Sequence, residues 1–250
     1  MNKTKIDWCD STWNPISGCL HGCPYCNVEK MAKKYGKPLD DSYLNKIDII
    51  YNNGIKLLKI DEKLDNPYID YFTPTLHTYR LHEPERKTKS RSIFVGSVSD
   101  VFGEWIPNEW IEEIMKCCYK ANHHKYLFLT KNPKRYSEIE NILCKENCWY
   151  GTSINNTAMA NKFLKDLNKL DPSFKTFLSI EPLLDDIDFE NNALDNISWV
   201  IIGAETGENA HLPKKEWVEK IIKICREKNI PIFLKTNLNW DTKIKEYPWK

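Results

Sequence analysis

Three cysteines fall within eight residues, Cys19-Leu-His-Gly-Cys23-Pro-Tyr-Cys26, a C-x3-C-x2-C spacing. Three thiolates this close in sequence can hold one face of a cubane iron–sulfur cluster and leave its fourth iron without a protein ligand. An iron left open is a place for a cofactor or substrate to coordinate. Gly22 and Pro24 flank the middle cysteine, as suits a loop that must turn sharply for its sulfurs to converge. Two other readings stand beside this one: a zinc site completed by Cys9 or His21, and cysteines that hold no ligand. Zinc sites favour paired C-x2-C arms or a Cys/His pair further along, and no second arm with that spacing follows. Three thiols among Gly, His and Pro also make a poor segment of core. A [4Fe–4S] cluster on Cys19, Cys23 and Cys26 is the reading these residues favour.

The other six of the nine cysteines are dispersed, and an odd count at moderate density fits reduced thiols better than a disulfide framework. With 250 residues, 41% of them hydrophobic, the chain can bury a full core. Thirty-six basic residues against thirty-five acidic ones give a net charge of +1, so no global field announces a nucleic-acid or membrane partner. The first residues, MNKTKIDWCDSTW, lack the apolar stretch of a signal peptide, and nowhere do eighteen apolar residues run together. A cytoplasmic protein without a membrane partner is expected.

The motif needs a scaffold, and the rest of the chain reads as one. Short apolar or aromatic runs recur at 92–98 (SIFVGSV), 126–130 (YLFLT), 148–153 (CWYGTS), 176–180 (TFLSI), 199–204 (WVIIGA) and 231–234 (PIFL), as buried parallel strands require. Helix-period segments at 108–121, 133–145, 157–170 and 214–228 separate them. This alternation predicts an α/β fold, a partial or full (β/α) barrel of six parallel strands, or seven if 14–18 is included, with a doubly wound sheet as the alternative. One domain is expected over 1–250, with residues 37–91, polar and rich in Tyr and Asp, as an irregular insertion over one barrel end.

In either architecture the C-terminal strand ends share the face where ligands bind. Those ends supply Asp100, Lys131, Glu181, Glu205 and Lys235 as candidate pocket residues for a polar substrate, although a Lys131–Glu181 ion pair would satisfy both groups without a ligand. Cys144 and Cys148, and His123-His124, precede strands and so belong to the opposite face. Cys118 and Cys225 continue apolar helix stripes. The basic stretch 80–91 reads as a solvated connection, with phosphate contact as its alternative.

With Tyr25 just before the last cysteine, the motif resembles the signature of the radical S-adenosylmethionine (SAM) superfamily, whose members fold as full or partial (β/α) barrels. The phrases WNPISGC, FVGSVSDVF, LFLTK, LSIEPLL, WVIIGAETG and PIFLK, in this order, resemble a family of phage- and prophage-associated proteins of unknown function that carries the same motif. The resemblance implies that Cys19, Cys23 and Cys26 ligate the cluster and that SAM chelates its open iron. Tyr25 would lie near the adenine, and the Gly96-Ser97-Val98-Ser99 stretch would bind the SAM amino group, although the superfamily's usual Gly-Gly-Glu triplet is absent. Asp100, Ser153 and Glu181 would complete the cofactor's surroundings, with Lys131, Glu181 and Glu205 left for catalysis. An external one-electron donor is implied, and nucleic acid is a plausible theme for the substrate. The competing function is a non-catalytic or regulatory nucleic-acid-binding protein in which a metal site only holds the fold.

Overall fold

The computed structural model describes residues 1–66, 68–207 and 210–250. In chain order the strands are β1 (Asn2–Lys3), β2 (Ser11–Trp13), β3 (Ile16–Ser17), β4 (Ile47–Asn52), β5 (Ile55–Ile60), β6 (Thr75–His77), β7 (Ser92–Val95), β8 (Lys125–Thr130), β9 (Cys148–Ile154), β10 (Lys175–Ile180), β11 (Val200–Ile202) and β12 (Ile232–Leu234). The α-helices are α1 (Asn27–Tyr35), α2 (Asn108–Lys120), α3 (Lys134–Glu138), α4 (Thr157–Leu167) and α5 (Lys215–Glu227). The main sheet runs β1-β2-β7-β8-β9-β10-β11-β12. Every pair from β2 to β12 is parallel, and only β1 is antiparallel to its neighbour. Seven parallel strands therefore curl into a half-barrel, the partial form of the expected architecture.

Side-chain alternation along these strands sorts two cores. Tyr126, Phe128, Tyr150, Leu178, Val200 and Ile202 point outward into the large core shared with the helices. Leu127, Trp149, Phe177, Trp199, Ile201 and Phe233 point inward and meet Trp8 in a separate aromatic cluster. That inner cluster is a floor closed by both ends of the chain. Trp249 stands edge-on to Trp149 and to Trp199, with centroids 5.2 Å away in each case, and Lys245 Nζ donates to Asp7 Oδ2 at 2.9 Å.

Two expectations need correction. Residues 14–18 do not form the first barrel strand. Ser11–Trp13 does, pairing with β7, while Ile16–Ser17 leaves for a second sheet of order β3-β6-β5-β4. Pro15 between them has no N–H to continue a ladder. Nor is the 37–91 insertion irregular, since it supplies three strands of that second sheet. Its β4–β5 hairpin turns on Asn53 and Gly54, with φ of 49° and 77°, the left-handed pair that a two-residue hairpin loop requires. No helix among the described residues is long and apolar enough to cross a membrane.

Candidate functional site

The cysteine motif occupies the loop between β3 and α1, and its placement is fixed from three sides. Gly18 makes a parallel bridge to Ser99 in the turn after β7, and its N–H donates to the Val98 carbonyl at 3.1 Å. The Cys19 N–H donates to the Phe72 carbonyl at 3.2 Å, so the insertion grips the loop from the other side. At the far end Cys26 caps α1, its Sγ accepting from the Glu29 N–H at 3.3 Å. The positive end of a nine-residue helix thus faces the third sulfur.

Gly18 is where this grip is tightest. Its φ is +82°, and a Cβ there would stand 2.4 Å from the Thr73 carbonyl oxygen and 2.6 Å from that of Phe72. Backbone cannot yield as a side-chain tip can. We expect Gly18→Ala to cost about 2–4 kcal/mol by combining left-handed strain with overpacking, measurable as a lowered urea midpoint at unchanged slope.

All three cysteines line one cavity at the C-terminal ends of the strands, together with Tyr25, Phe72, Gly96, Asp100, Lys131 and Ser153. Burial pushes the Cys19 thiol up to about 12, and it also raises Cys23, where the nearby Lys131 ammonium opposes it. Neutral thiols would therefore have to surrender protons to a metal on binding. The spacing of the sulfurs bears on which metal. Among the described residues, the only group of three or more His, Cys, Asp or Glu whose ligand atoms all lie within 4.8 Å is His82, Glu85 and Cys117. The three motif sulfurs are thus spread more widely than the roughly 3.8 Å that tetrahedral zinc–thiolate bonds of about 2.3 Å would impose. The donor set, three thiols spread around a cavity, fits a multi-iron cluster.

Around the cysteines the predicted residues divide. Asp100 is buried and fully engaged: its carboxylate accepts from the Phe102 N–H at 3.0 Å, Thr130 Oγ1 at 2.9 Å and the Lys131 N–H at 3.0 Å, and pairs with His21 Nε2 at 2.6 Å. It fixes the loop that presents Lys131 and orients an imidazole inside the motif. Lys131 Nζ donates to Tyr25 Oη at 2.9 Å, and Asn155 Nδ2 donates to the same oxygen at 3.1 Å. Gly96, at φ +76°, opens the turn after β7, and Ser97 Oγ donates to Asn14 Oδ1 at 3.1 Å. Ser99 Oγ, buried in the same turn on the cavity wall, has no partner.

Glu181 and Glu205 do not line this cavity. Glu181 is ion-paired with Lys235, so the Lys131–Glu181 pair considered from sequence does not form. Glu205 lies beyond β11, where its Oε2 accepts from the His211 N–H at 3.2 Å; that bond, with the His211 side chain, holds its carboxyl below the usual range. From sequence His21 is considered only as a zinc ligand, and Asn155 only as one of the polar strand-end residues on the ligand face, not among the candidate pocket residues. Both were readable, His21 from its place inside the motif and Asn155 from its place two residues beyond Ser153 on the same strand face. Phe72, from the insertion, carries no sequence signal. On the opposite face Cys144 Sγ donates to Asn147 Oδ1 at 3.0 Å, and His124 Nε2 meets the Pro84 carbonyl at 3.1 Å. Two cations of the basic stretch are structural: Arg80 donates to the Asn14 carbonyl at 3.2 Å, and Arg91 to Ser11 Oγ at 3.0 Å.

Residues 3–247 match the family described as "Protein of unknown function (DUF5131)". The chain belongs to that family. No curated protein matches this DUF5131 chain. Among solved structures, a cysteine-to-serine variant of spore photoproduct lyase superposes with a TM-score of 0.52 at 11% identity, covering 93% of the DUF5131 chain and 78% of the lyase. The lyase complexed with dinucleoside spore photoproduct gives 0.50 at 10% identity, covering 88% and 74%. A doubly substituted lyase with bound AdoMet and dinucleoside spore photoproduct gives 0.50 at 11%, covering 89% and 62%. The DUF5131 chain shares the fold of this lyase.

Proposed function

We propose that this DUF5131 protein is a radical SAM enzyme acting on a polar substrate, a nucleotide or nucleic acid. One observation carries the reading: the three-cysteine loop and the turn after β7 converge on a single cavity at the C-terminal end of a half-barrel. Support comes also from the lyase that shares this fold and has been solved with bound AdoMet and a dinucleoside.

In this reading Cys19, Cys23 and Cys26 hold a [4Fe–4S] cluster. When bound, the cluster and SAM supply a one-electron cleavage to methionine and a 5′-deoxyadenosyl radical able to abstract hydrogen, the electron coming from an external donor. The chain's own residues bind and orient. Gly96, Ser97 and the unpartnered Ser99 hydroxyl present polar atoms for the SAM amino group, and Ser153 presents a hydroxyl for its ribose. Tyr25, held through its hydroxyl by Lys131 and Asn155, forms a rigid wall for the adenine. Asp100 acts as a positioning residue for His21 and Lys131, and Phe72 and Phe94 exclude water from the same cavity.

The test is anaerobic reconstitution with iron and sulfide, reduction with dithionite, and chromatography after addition of SAM. We expect 5′-deoxyadenosine and methionine in equal amounts. A protein that takes up zinc in place of a SAM-responsive cluster and yields no 5′-deoxyadenosine would refute the enzyme reading and leave the binding-protein alternative.

A further inference from the structure

Above the aromatic floor the inner wall changes character across three adjacent strands. Glu181 follows β10, Gly203 follows β11 and Lys235 follows β12, and the Lys235 ammonium is paired with the Glu181 carboxylate. The stems of the pair lie over Gly203, where a Cβ would stand 2.8 Å from Lys235 Cδ and 3.1 Å from Glu181 Cδ. The two side chains retain 16% and 25% of their exposure, so the pair can be reached from the open end. Ser179, two residues before Glu181 and on the same strand face, is 1% exposed, and its Oγ has no hydrogen-bond partner. Continuity with the cysteine cavity runs through Ser153, which lines that cavity and has its Oγ 3.5 Å from the Glu181 carbonyl.

Stability alone does not account for such a pair. The attraction of a partly buried ion pair does little more than offset its desolvation, and apolar residues continuing Phe177 and Phe233 would serve the fold as well. What the pair presents is a carboxylate acceptor beside an ammonium donor. A neutral cyclic amide meets both at once, its N–H donating to Glu181 and its C=O accepting from Lys235, and it brings no charge of its own to desolvate. A zwitterionic amino acid would match the charges too, but would lose the hydration of two ions beside a pair that is itself at least three-quarters buried. A flat ring with one amide edge presents both groups without that loss.

We infer that Glu181 and Lys235 are the substrate-recognition pair, taking the N–H and C=O of a nucleobase in its lactam form, as in thymine, uracil or guanine. This rests on the proposed function and assigns the substrate class, moving Glu181 from the cofactor's surroundings to the substrate's.

The experiment is anaerobic calorimetric titration of the cluster-reconstituted protein, with SAM present, using thymidine and 3-methylthymidine as probes. Thymidine should bind at least about tenfold more tightly, since the methyl group removes the donor that the carboxylate accepts. In a Glu181→Met/Lys235→Met double variant the difference should fall below about twofold, and the variant's melting temperature reports whether its fold is kept. The probe comparison in the native protein needs no variant. Equal binding of the two nucleosides, binding of neither, or displacement of thymidine by glycine would overturn the inference. 5′-Deoxyadenosine measured in the same sample separates the failures: SAM cleavage without discrimination between probes removes the recognition pair alone, whereas no cleavage removes the enzyme reading beneath it.

Discussion

A Cys23→Ala protein should lose more than about 100-fold of its cluster affinity and of its 5′-deoxyadenosine yield, since removal of a ligand exceeds the 10–100-fold cost of removing a contact that merely supports one. Cys23 is only partly buried, so truncating it removes little packing. Alanine at 23 is expected to keep the native melting temperature within a few degrees, which separates loss of iron from unfolding. Cys225→Ala is the control, a fully buried thiol on α5 that burial holds up at about 12. It is expected to lose some stability to a small cavity and none of its iron. Equal iron in the Cys23→Ala and native proteins, or equal loss in both variants, would show that the motif does not hold the cluster.

Breaking the Glu181–Lys235 pair from one side should be among the most damaging changes to stability outside the apolar core. Lys235→Met leaves a carboxylate stranded on the inner wall, and Glu181→Met strands an ammonium. Each should cost about 2–3 kcal/mol, at or below the bottom of the range for fully buried pairs because both groups keep some water. Replacing both together removes the charges and their desolvation at once, and the double variant is expected within about 1 kcal/mol of the native protein. Urea unfolding of the four proteins closes this cycle. Additive losses in the double variant would mean that the two side chains act independently and that the pairing carries no weight.

The half-barrel was legible because its strands are buried on both faces. Runs such as YLFLT and TFLSI have no polar alternation to mislead, and the helices between them keep strict apolar stripes. The cysteine motif was legible because its chemistry is local. What escaped is everything that depends on the second sheet. Asn53-Gly54 between two apolar stretches is a strong short-range hairpin signal, and it was lost within the polar composition of its surroundings. Pro15 marked the point where the chain changes sheets, yet no local rule says which sheet receives the strand after it. Strand-end charges were correctly gathered to one face, but their partners were not. The choice of Lys235 over Lys131 for Glu181 depends on β12 lying two strands from β10, with a glycine between them at the right level.

The floor of the half-barrel has a kinetic meaning. Trp8 and Trp249, both members of one inner cluster, are brought together from opposite ends of the 250-residue chain, as are Asp7 and Lys245. Contacts of such separation close last, because little native reward accrues until the intervening elements have already condensed. A chain that has paired β7 through β10 but not yet brought in residues 245–249 leaves its inner aromatic face uncovered. Indole fluorescence from that cluster should accordingly mature after the backbone signal of the sheet, making the 245–249 segment the latch that completes folding.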